Sequence, residues 1–484
     1  MKTKSMKLNF IFNTLKTLMT ILFPAISFPY ASRILGVSNI GAVQYSSSIV
    51  SYFALFAALG ISVYSVREGS KLRHDRKKLS KFSSEMLLIN LISTGIAYLV
   101  LFIFIFLNFF NGYVVLILIS SLLIIFTTLS IEWLYQIMED YAYISFRSVI
   151  IQIISLILLF IFVRTKEDYL IYAFIIVFST SGYFLMNLIS SKRFVDFFRS
   201  GKLELAKHIK PILVIFGVSA ASSIYLNIDV VVLGAVFGDY EVGLYTVAVK
   251  INVIIRGLIS SVGVVVLPRM TNYLYKKKYK EYNRMLRSGI SLNLMLAIPC
   301  AIGLFMLSKE TIILVSGYDY LEATFASKVL SANIIFSTLN GLLYYQVLIP
   351  YNLERQACLG TIFGAAVNLI LNFLVIFKFS YNGVAIATLI SEILVFTAFL
   401  YILRKKINIK YLFSETPKFI LAGLPIIPIC YVGMRTGEGL IVSLILVILL
   451  SILIYFGLLY ILKEILVREV LSDLTRIIKN TRHK

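Results

Sequence analysis

Fourteen apolar runs, each about as long as a helix that crosses a hydrocarbon layer, follow one another through this chain. They lie at about 8–32, 40–64, 84–107, 113–133, 143–163, 169–189, 211–237, 244–267, 290–307, 325–349, 357–377, 382–403, 417–434 and 439–462. A layer of about 30 Å takes roughly 20 helical residues per crossing. Apolar runs of that length, bounded by charge, Gly or Pro, read as membrane-crossing helices. An all-α polytopic membrane protein of about 14 transmembrane helices is expected. With 59% hydrophobic and 14% charged residues and a mean hydropathy of +0.89, the chain cannot close around one water-facing core, which excludes a soluble enzyme.

Forty-six Lys and Arg stand against 24 Asp and Glu, a formal +22. In a soluble chain that balance points to nucleic acid, but here the cations sit in short segments between the runs, so no nucleic-acid role is expected. With the first residues placed inside, 35 of the 46 fall on the cytoplasmic side and six outside, the others lying within spans. The positive-inside rule then places both termini in the cytoplasm, with an even number of crossings. Leu134 to Ala142 is the exception, having no cation and carrying Glu139 and Asp140. The first run follows Lys2, Lys4 and Lys7 as a signal peptide would, but it outlasts such a core and leads straight into the next span, so it reads as a retained helix.

Cys300, Cys358 and Cys430 are scattered, and His74, His208 and His483 are isolated in sequence. Without CxxC, HxxxH or a loop carrying paired carboxylates, neither a metal site nor a catalytic group is expected. No Walker A sequence is present, so transport would draw on the substrate gradient, the membrane potential or coupling to H+ or Na+, with no cofactor. A charge near mid-span costs about 2.5–3.5 kcal/mol on insertion scales, which makes such residues the functional candidates. The cations are Lys16, Arg147, Lys250, Arg256 and Lys328, with Arg33 at the outer end of the first span; the acids are Glu132, Asp229 and Glu392. A cationic surplus suits an anion such as phosphate or pyrophosphate. For Lys16, Arg147 and Lys328, near span ends, the alternative is snorkelling to headgroups. Arg256 lies mid-span with Asn252, Ser260 and Gly263 on one helical face, a stripe that interhelical packing would also produce. Lys16, Arg33, Arg147, Lys250, Asn252 and Arg256 are thus the candidate substrate contacts. Asp229 and Glu392 are the candidates for ion coupling.

The chain also repeats itself. Ile34-Leu35-Gly36, Gly41, Tyr45 and Arg67 are matched by Val232-Leu233-Gly234, Gly243, Tyr245 and Arg269, at offsets of 198 to 202 residues. An offset spanning six helices preserves direction, which predicts parallel lobes over residues 1–205 (helices 1–6) and 206–410 (helices 7–12). Residues 411–484 hold helices 13 and 14 and a cytoplasmic tail. Chance recurrence of Leu-Gly and Gly-Tyr pairs is the alternative.

Three stretches carry a family resemblance. Asn9-Phe10-Ile11-Phe12-Asn13 and Phe28-Pro29-Tyr30-Ala31-Ser32-Arg33-Ile34-Leu35-Gly36 to Gly41, then Ser65-Val66-Arg67-Glu68, form the first. Glu132-Trp133-Leu134-Tyr135-Gln136-Ile137-Met138-Glu139-Asp140-Tyr141, with Arg147 following, is the second; Asp229-Val230-Val231-Val232-Leu233-Gly234 with Gly243-Leu244-Tyr245 is the third. Together they resemble Wzx-type polysaccharide repeat-unit flippases, although that family often has Gly where Ile137 stands. The resemblance implies the multidrug/oligosaccharidyl-lipid/polysaccharide exporter superfamily: a MATE-like fold of two lobes around a central cavity, working by alternating access in the bacterial cytoplasmic membrane. Its cargo would be an undecaprenyl-pyrophosphate-linked oligosaccharide, with membrane lipids, a polysaccharide polymerase and other assembly proteins as partners. A cation-coupled multidrug exporter of the same fold is the first alternative, though its cationic drugs would favour an acidic cavity. A polysaccharide polymerase or ligase is the second, and it would need a sizeable outside loop.

Overall fold

Apolar segments that cannot bond to water satisfy their backbones by coiling, and the computed structural model of the chain is helical along every one of the fourteen runs that it describes. The structure describes residues 6–198, 202–261, 270, 273–274, 276–435 and 439–468. It forms two compact units, Met1–Thr246 and Val247–Lys484.

The first unit contains α1 (Met6–Ala58), α2 (Ile61–Gly69), α3 (Arg76–Phe106), α4 (Val114–Ser130), α5 (Glu132–Ile137), α6 (Tyr141–Phe162), α7 (Tyr169–Ser181), α8 (Phe184–Ser191) and α9 (Ala206–Phe237), with the first turns of α10 (Asp239–Ser261). The remainder of α10 belongs to the second unit, with α11 (Tyr279–Met306), α12 (Ser308–Ser316), α13 (Thr324–Leu343), α14 (Glu354–Leu403), α15 (Ile409–Leu412), α16 (Thr416–Gly423), α17 (Ile426–Gly433) and α18 (Leu440–Ile461). Among the described residues, eleven segments are long and apolar enough to cross a membrane. The expected count of fourteen is approximate, and three further features bear on it. Helix α14 breaks at Ser380 (φ 47°, ψ −137°), between the expected spans 357–377 and 382–403. Helices α9 and α13 cover two more expected spans.

Helix α1 is the centre of the first unit and packs on α3, α4, α6 and α9. In the second unit α13 lies between α11 and α14, while α16 and α17 pack on α11 and on α18. Helix α18 shows how such a helix divides its surface. Leu444, Val447, Ser451, Tyr455 and Leu459 are buried at intervals of three or four, while Ile441, Ile445, Ile448, Leu449 and Ile452 are exposed where lipid would lie. The Tyr455 hydroxyl, which would otherwise be orphaned, donates to the Met295 carbonyl at 2.9 Å.

Backbone geometry resets the register of the repeat. Gly36 breaks α1 with φ 77° and ψ 174°, and Gly238, 202 residues later, separates α9 from α10 with φ 88° and ψ −164°. Side chains rarely adopt these angles, so glycine is required at both points. Gly238, and not Gly234, is therefore the counterpart of Gly36, at the same offset of 202 that relates Gly41 to Gly243. Gly234 is helical, and a Cβ there would overlap the ring of Tyr45. Five residues past each break, the paired glycines meet. A Cβ on Gly41 would collide with the Asp239 carbonyl and the Gly243 backbone, and one on Gly243 would collide with the Val37 carbonyl. Val37 and Asp239 also stand 202 residues apart, so each glycine meets the backbone just past the other's break.

Candidate functional site

The site in the first unit begins with a break. Helix α4 ends at Ile131, a β-branched residue held at φ 40° and ψ 38°, which starts α5 in a new direction with Glu132 as its first residue. Asn187 on α8 donates to the Ser130 carbonyl and steadies that corner. Glu132 divides its two oxygens. Oε1 accepts from Lys16 Nζ at 2.9 Å; Oε2 accepts from the Tyr183 hydroxyl at 2.7 Å and lies 3.5 Å from Arg147 Nη2.

Arg147 has no accessible surface, and none of its three guanidinium nitrogens has a hydrogen-bond partner among the described residues. The guanidinium instead lies over three tyrosine rings, with centroids at 4.4 Å (Tyr183), 5.2 Å (Tyr135) and 5.6 Å (Tyr143). Such contacts contribute about 0.5–2 kcal/mol each, set against a desolvation cost of several kcal/mol per buried ion, so the three rings and Glu132 share the compensation of Arg147. Full burial within protein excludes the snorkelling alternative for Arg147. Lys16 differs, with 32% of its side chain exposed. Two cations on one carboxylate leave this cluster with a net charge of +1.

The other candidates are dispersed. Arg33 is exposed near the end of the first half of α1. Asp229 is buried and accepts from the Tyr245 hydroxyl at 2.8 Å. In the second unit, Asn252 donates to the Leu330 carbonyl, tying α10 to α13, while Lys250 and Arg256 are half-buried. The stripe through Asn252, Arg256 and Ser260 runs from buried to exposed, and Gly263 lies outside the described residues. Glu392 on the second half of α14 accepts from Asn340 Nδ2 at 2.6 Å. A separate cavity of about 410 Å³ between α11, α17 and α18 is apolar, lined by Met295, Pro299, Cys300, Cys430 and Tyr455 among others.

Sequence reading misses two constellations. The tyrosine cage is one: Tyr135, Tyr143 and Tyr183 come from α5, α6 and the α7–α8 corner, with no shared periodicity. The other corrects the reading of His208 as isolated. Its Nε2 lies 2.8 Å from Glu85 Oε2 and its Nδ1 2.8 Å from the Tyr64 hydroxyl, at sequence separations of 123 and 144 residues. Glu85 Oε1 also accepts from the Glu204 amide at 2.9 Å, and Lys207 stands 3.6 Å from Oε2. Ser80 and Ser84, one turn apart on α3, accept from the amides of Asp196 and Phe198. The segment before α9 is thereby strapped along α3. No sequence signal marks this network beyond an acid, Glu85, near the start of an apolar run.

The family model described as polysaccharide biosynthesis protein matches residues 6–274. A protein named as an O-antigen transporter in Shigella dysenteriae is 27% identical over 384 residues, 77% of this chain and 94% of its own length. Another of the same description, from Escherichia coli K12, is 24% identical over 79% of this chain and 93% of its own length. Among solved structures, the lipid II flippase MurJ in an inward-closed conformation is similar, with a TM-score of 0.77 at 19% identity, over 95% of this chain and 99% of that one. A MATE-family multidrug resistance transporter in an inward-facing conformation has a TM-score of 0.61 at 15% identity, over 81% and 96%. These two share the fold, as the expected MATE-like architecture requires. The chain belongs to the polysaccharide biosynthesis protein family.

Proposed function

We propose that the chain is a flippase that moves an undecaprenyl-pyrophosphate-linked oligosaccharide from the inner to the outer leaflet of the bacterial cytoplasmic membrane, for capsule, O-antigen or related polysaccharide assembly. The observation that carries this reading is the likeness to O-antigen transporters over more than nine-tenths of their length. It is a transporter and not an enzyme: the cargo crosses with no bond made or broken. Lobes of residues 1–205 and 206–410 would rock about the cargo while both termini stay in the cytoplasm, in the sense of alternating access.

The chemistry of the residues supports that cargo. Lys16 and Arg33 in the first unit, and Lys250, Asn252 and Arg256 in the second, supply cations and an amide for a diphosphate and its sugars, while Arg147, sealed in its cage, adds its charge from behind Glu132. The apolar cavity by α17 and α18 is matched in chemistry to a prenyl chain, which would remain out of water there. Asp229 and Glu392 are carboxylates placed to exchange H+ or Na+ during the cycle. A polysaccharide polymerase would take the cargo in the outer leaflet. A multidrug exporter is the weaker reading, because the charged residues within the spans are mostly cationic.

Deletion of the gene, followed by an assay of which leaflet holds the lipid-linked repeat unit, tests the proposal. Accumulation in the inner leaflet, reversed by the wild-type gene, is expected; an unchanged distribution overturns it. If Asp229→Asn and Glu392→Gln both keep the wild-type dependence on ion gradients, coupling resides elsewhere.

A further inference from the structure

Glu132 holds Lys16 in place, and the manner in which it does so has a bearing on how an anion is recognised. A lysine paired to a buried carboxylate is normally unavailable to a ligand, because removing it strands a bare charge at a cost of several kcal/mol. Here the second oxygen of Glu132 is already held, by the Tyr183 hydroxyl at 2.7 Å and by the Arg147 charge at 3.5 Å. Arg147 cannot itself leave: it has no exposed surface, three tyrosine rings surround it, and among the described residues no nitrogen has a hydrogen-bond partner to exchange. Lys16, on a flexible stem and 32% exposed, can. The cluster therefore contains one fixed cation, one movable cation and one carboxylate between them.

We infer that Glu132 is an internal stand-in for the cargo's phosphate: the arriving diphosphate takes Lys16 from Glu132, Arg147 keeps the vacated carboxylate compensated, and Glu132 reclaims Lys16 when the cargo leaves. In this arrangement Lys16 is a ligand contact. Glu132 and Arg147 are positioning residues that set how tightly the phosphate is held and how readily it is released. The inference rests on the proposed diphosphate cargo and names the device that regulates its binding.

The molecule provides its own probe. Trp133, the only tryptophan in the chain, follows Glu132 directly and is buried, so its fluorescence reports on the cluster. The full-length purified protein in nanodiscs is titrated with undecaprenyl diphosphate and, separately, with inorganic pyrophosphate. Lys16→Ala is expected to weaken binding of the lipid-linked probe about tenfold, and Glu132→Gln to tighten it about tenfold while lowering turnover, because the competitor for Lys16 is gone and release slows. Arg147→Lys, which keeps the charge but cannot fill the cage as a planar guanidinium does, is expected to weaken binding in the wild-type background and to have no effect in the Glu132→Gln background. A purely structural role would give the same loss in both backgrounds. Inorganic pyrophosphate binding with the same ranking assigns the recognition to the phosphates alone; a response only to the lipid-linked probe assigns it to phosphate and prenyl chain together, and both agree with the inference. If Lys16→Ala weakens binding but Glu132→Gln weakens it equally, Glu132 is a scaffold for Lys16 and the inference is wrong, with the cargo reading intact. If neither probe binds the folded wild-type protein, the diphosphate cargo itself is wrong, and the inference falls with it.

Discussion

Glu85 and Glu132 are both carboxylates on helices of the first unit, and each holds more than one cationic or hydrogen-bonding group. Glu85 is 1% exposed and takes a histidine, a backbone amide and a nearby lysine, and the histidine in turn reaches Tyr64. All of these partners belong to the helix ends and the strapped segment that they join. Glu132 is 19% exposed and shares its charge between a cation sealed in a cage and one open to its surroundings. A satisfied polar network fixes a joint, whereas a network with an exposed, exchangeable member retains a choice of partner. By that criterion the first cluster is architecture, and the second is the one proposed to act on the cargo.

The largest effect that tests the contrast is on folding. Glu85→Ala strands His208 and the Glu204 amide in a buried place and is expected to cost about 3–5 kcal/mol, seen as a collapse in the yield and thermal stability of detergent-purified protein. What survives should transport normally per folded molecule. Lys16→Ala should do the reverse, changing stability by less than about 1 kcal/mol, as partly exposed pairs do, and lowering transport per folded molecule about tenfold. Equal losses of stability in the two variants would break the distinction.

Next in size is the glycine crossing. Gly41→Val places a branched side chain against the Asp239 carbonyl and is expected to cost about 1–3 kcal/mol, whereas the same change at Gly95, where nothing lies within 4 Å of an added Cβ, should be close to neutral in packing. Thermal unfolding of the pair measures the difference.

Arg256 asks whether the second unit has its own counterpart of Lys16. The expected order of transport per folded molecule is wild type, then Arg256→Lys, then Arg256→Ala, the last lower by about tenfold, since lysine keeps the charge and loses the planar fork. Arg256→Ala at wild-type abundance and rate would leave Lys16 as the phosphate contact without a partner in that unit.

The smallest effect belongs to the strap. Lys81 and Lys207 hold the Glu204 carboxyl down to about 2 from its ordinary value of 4.5. A depressed acid stabilises the fold above its unfolded pKa and loses that contribution as the pH falls through the folded one, so the window lies between about 4.5 and 2. Glu204→Gln should melt slightly below wild type at pH 7, with the difference shrinking towards pH 2. Because the pair is exposed, the effect is small, and a difference independent of pH would remove the charge from the explanation.

Much of the fold was legible because hydropathy is a local property. Every apolar run is helical along its described residues, and Gly41 and Gly243 meet at one crossing. The register of the repeat was misread at Gly234 because a Leu-Gly pair looks the same inside a helix as at a break, and only the φ of Gly238 tells them apart. The charged sites were legible in part. Lys16, Glu132 and Arg147 stood out by their cost in a membrane, but their convergence depends on α1, α4, α5 and α6 meeting at one level, which no local pattern encodes. Tyr183 and His208 were invisible for the same reason. Neither differs in sequence from the many tyrosines and lone histidines that only pack.

The central claim, translocation of a lipid-linked oligosaccharide, is tested most directly by reconstitution. Purified full-length protein is placed in sealed vesicles with an undecaprenyl-diphosphate-linked oligosaccharide in both leaflets, and the fraction of oligosaccharide open to an added glycosidase is followed with time. The account predicts that all of the lipid-linked sugar becomes accessible with the folded wild-type protein and only the outer-leaflet share in its absence, with Lys16→Ala slower by about tenfold. If the folded wild-type protein leaves the inner-leaflet share protected and exports a cationic dye from the same vesicles, the chain is a drug exporter and the account is contradicted.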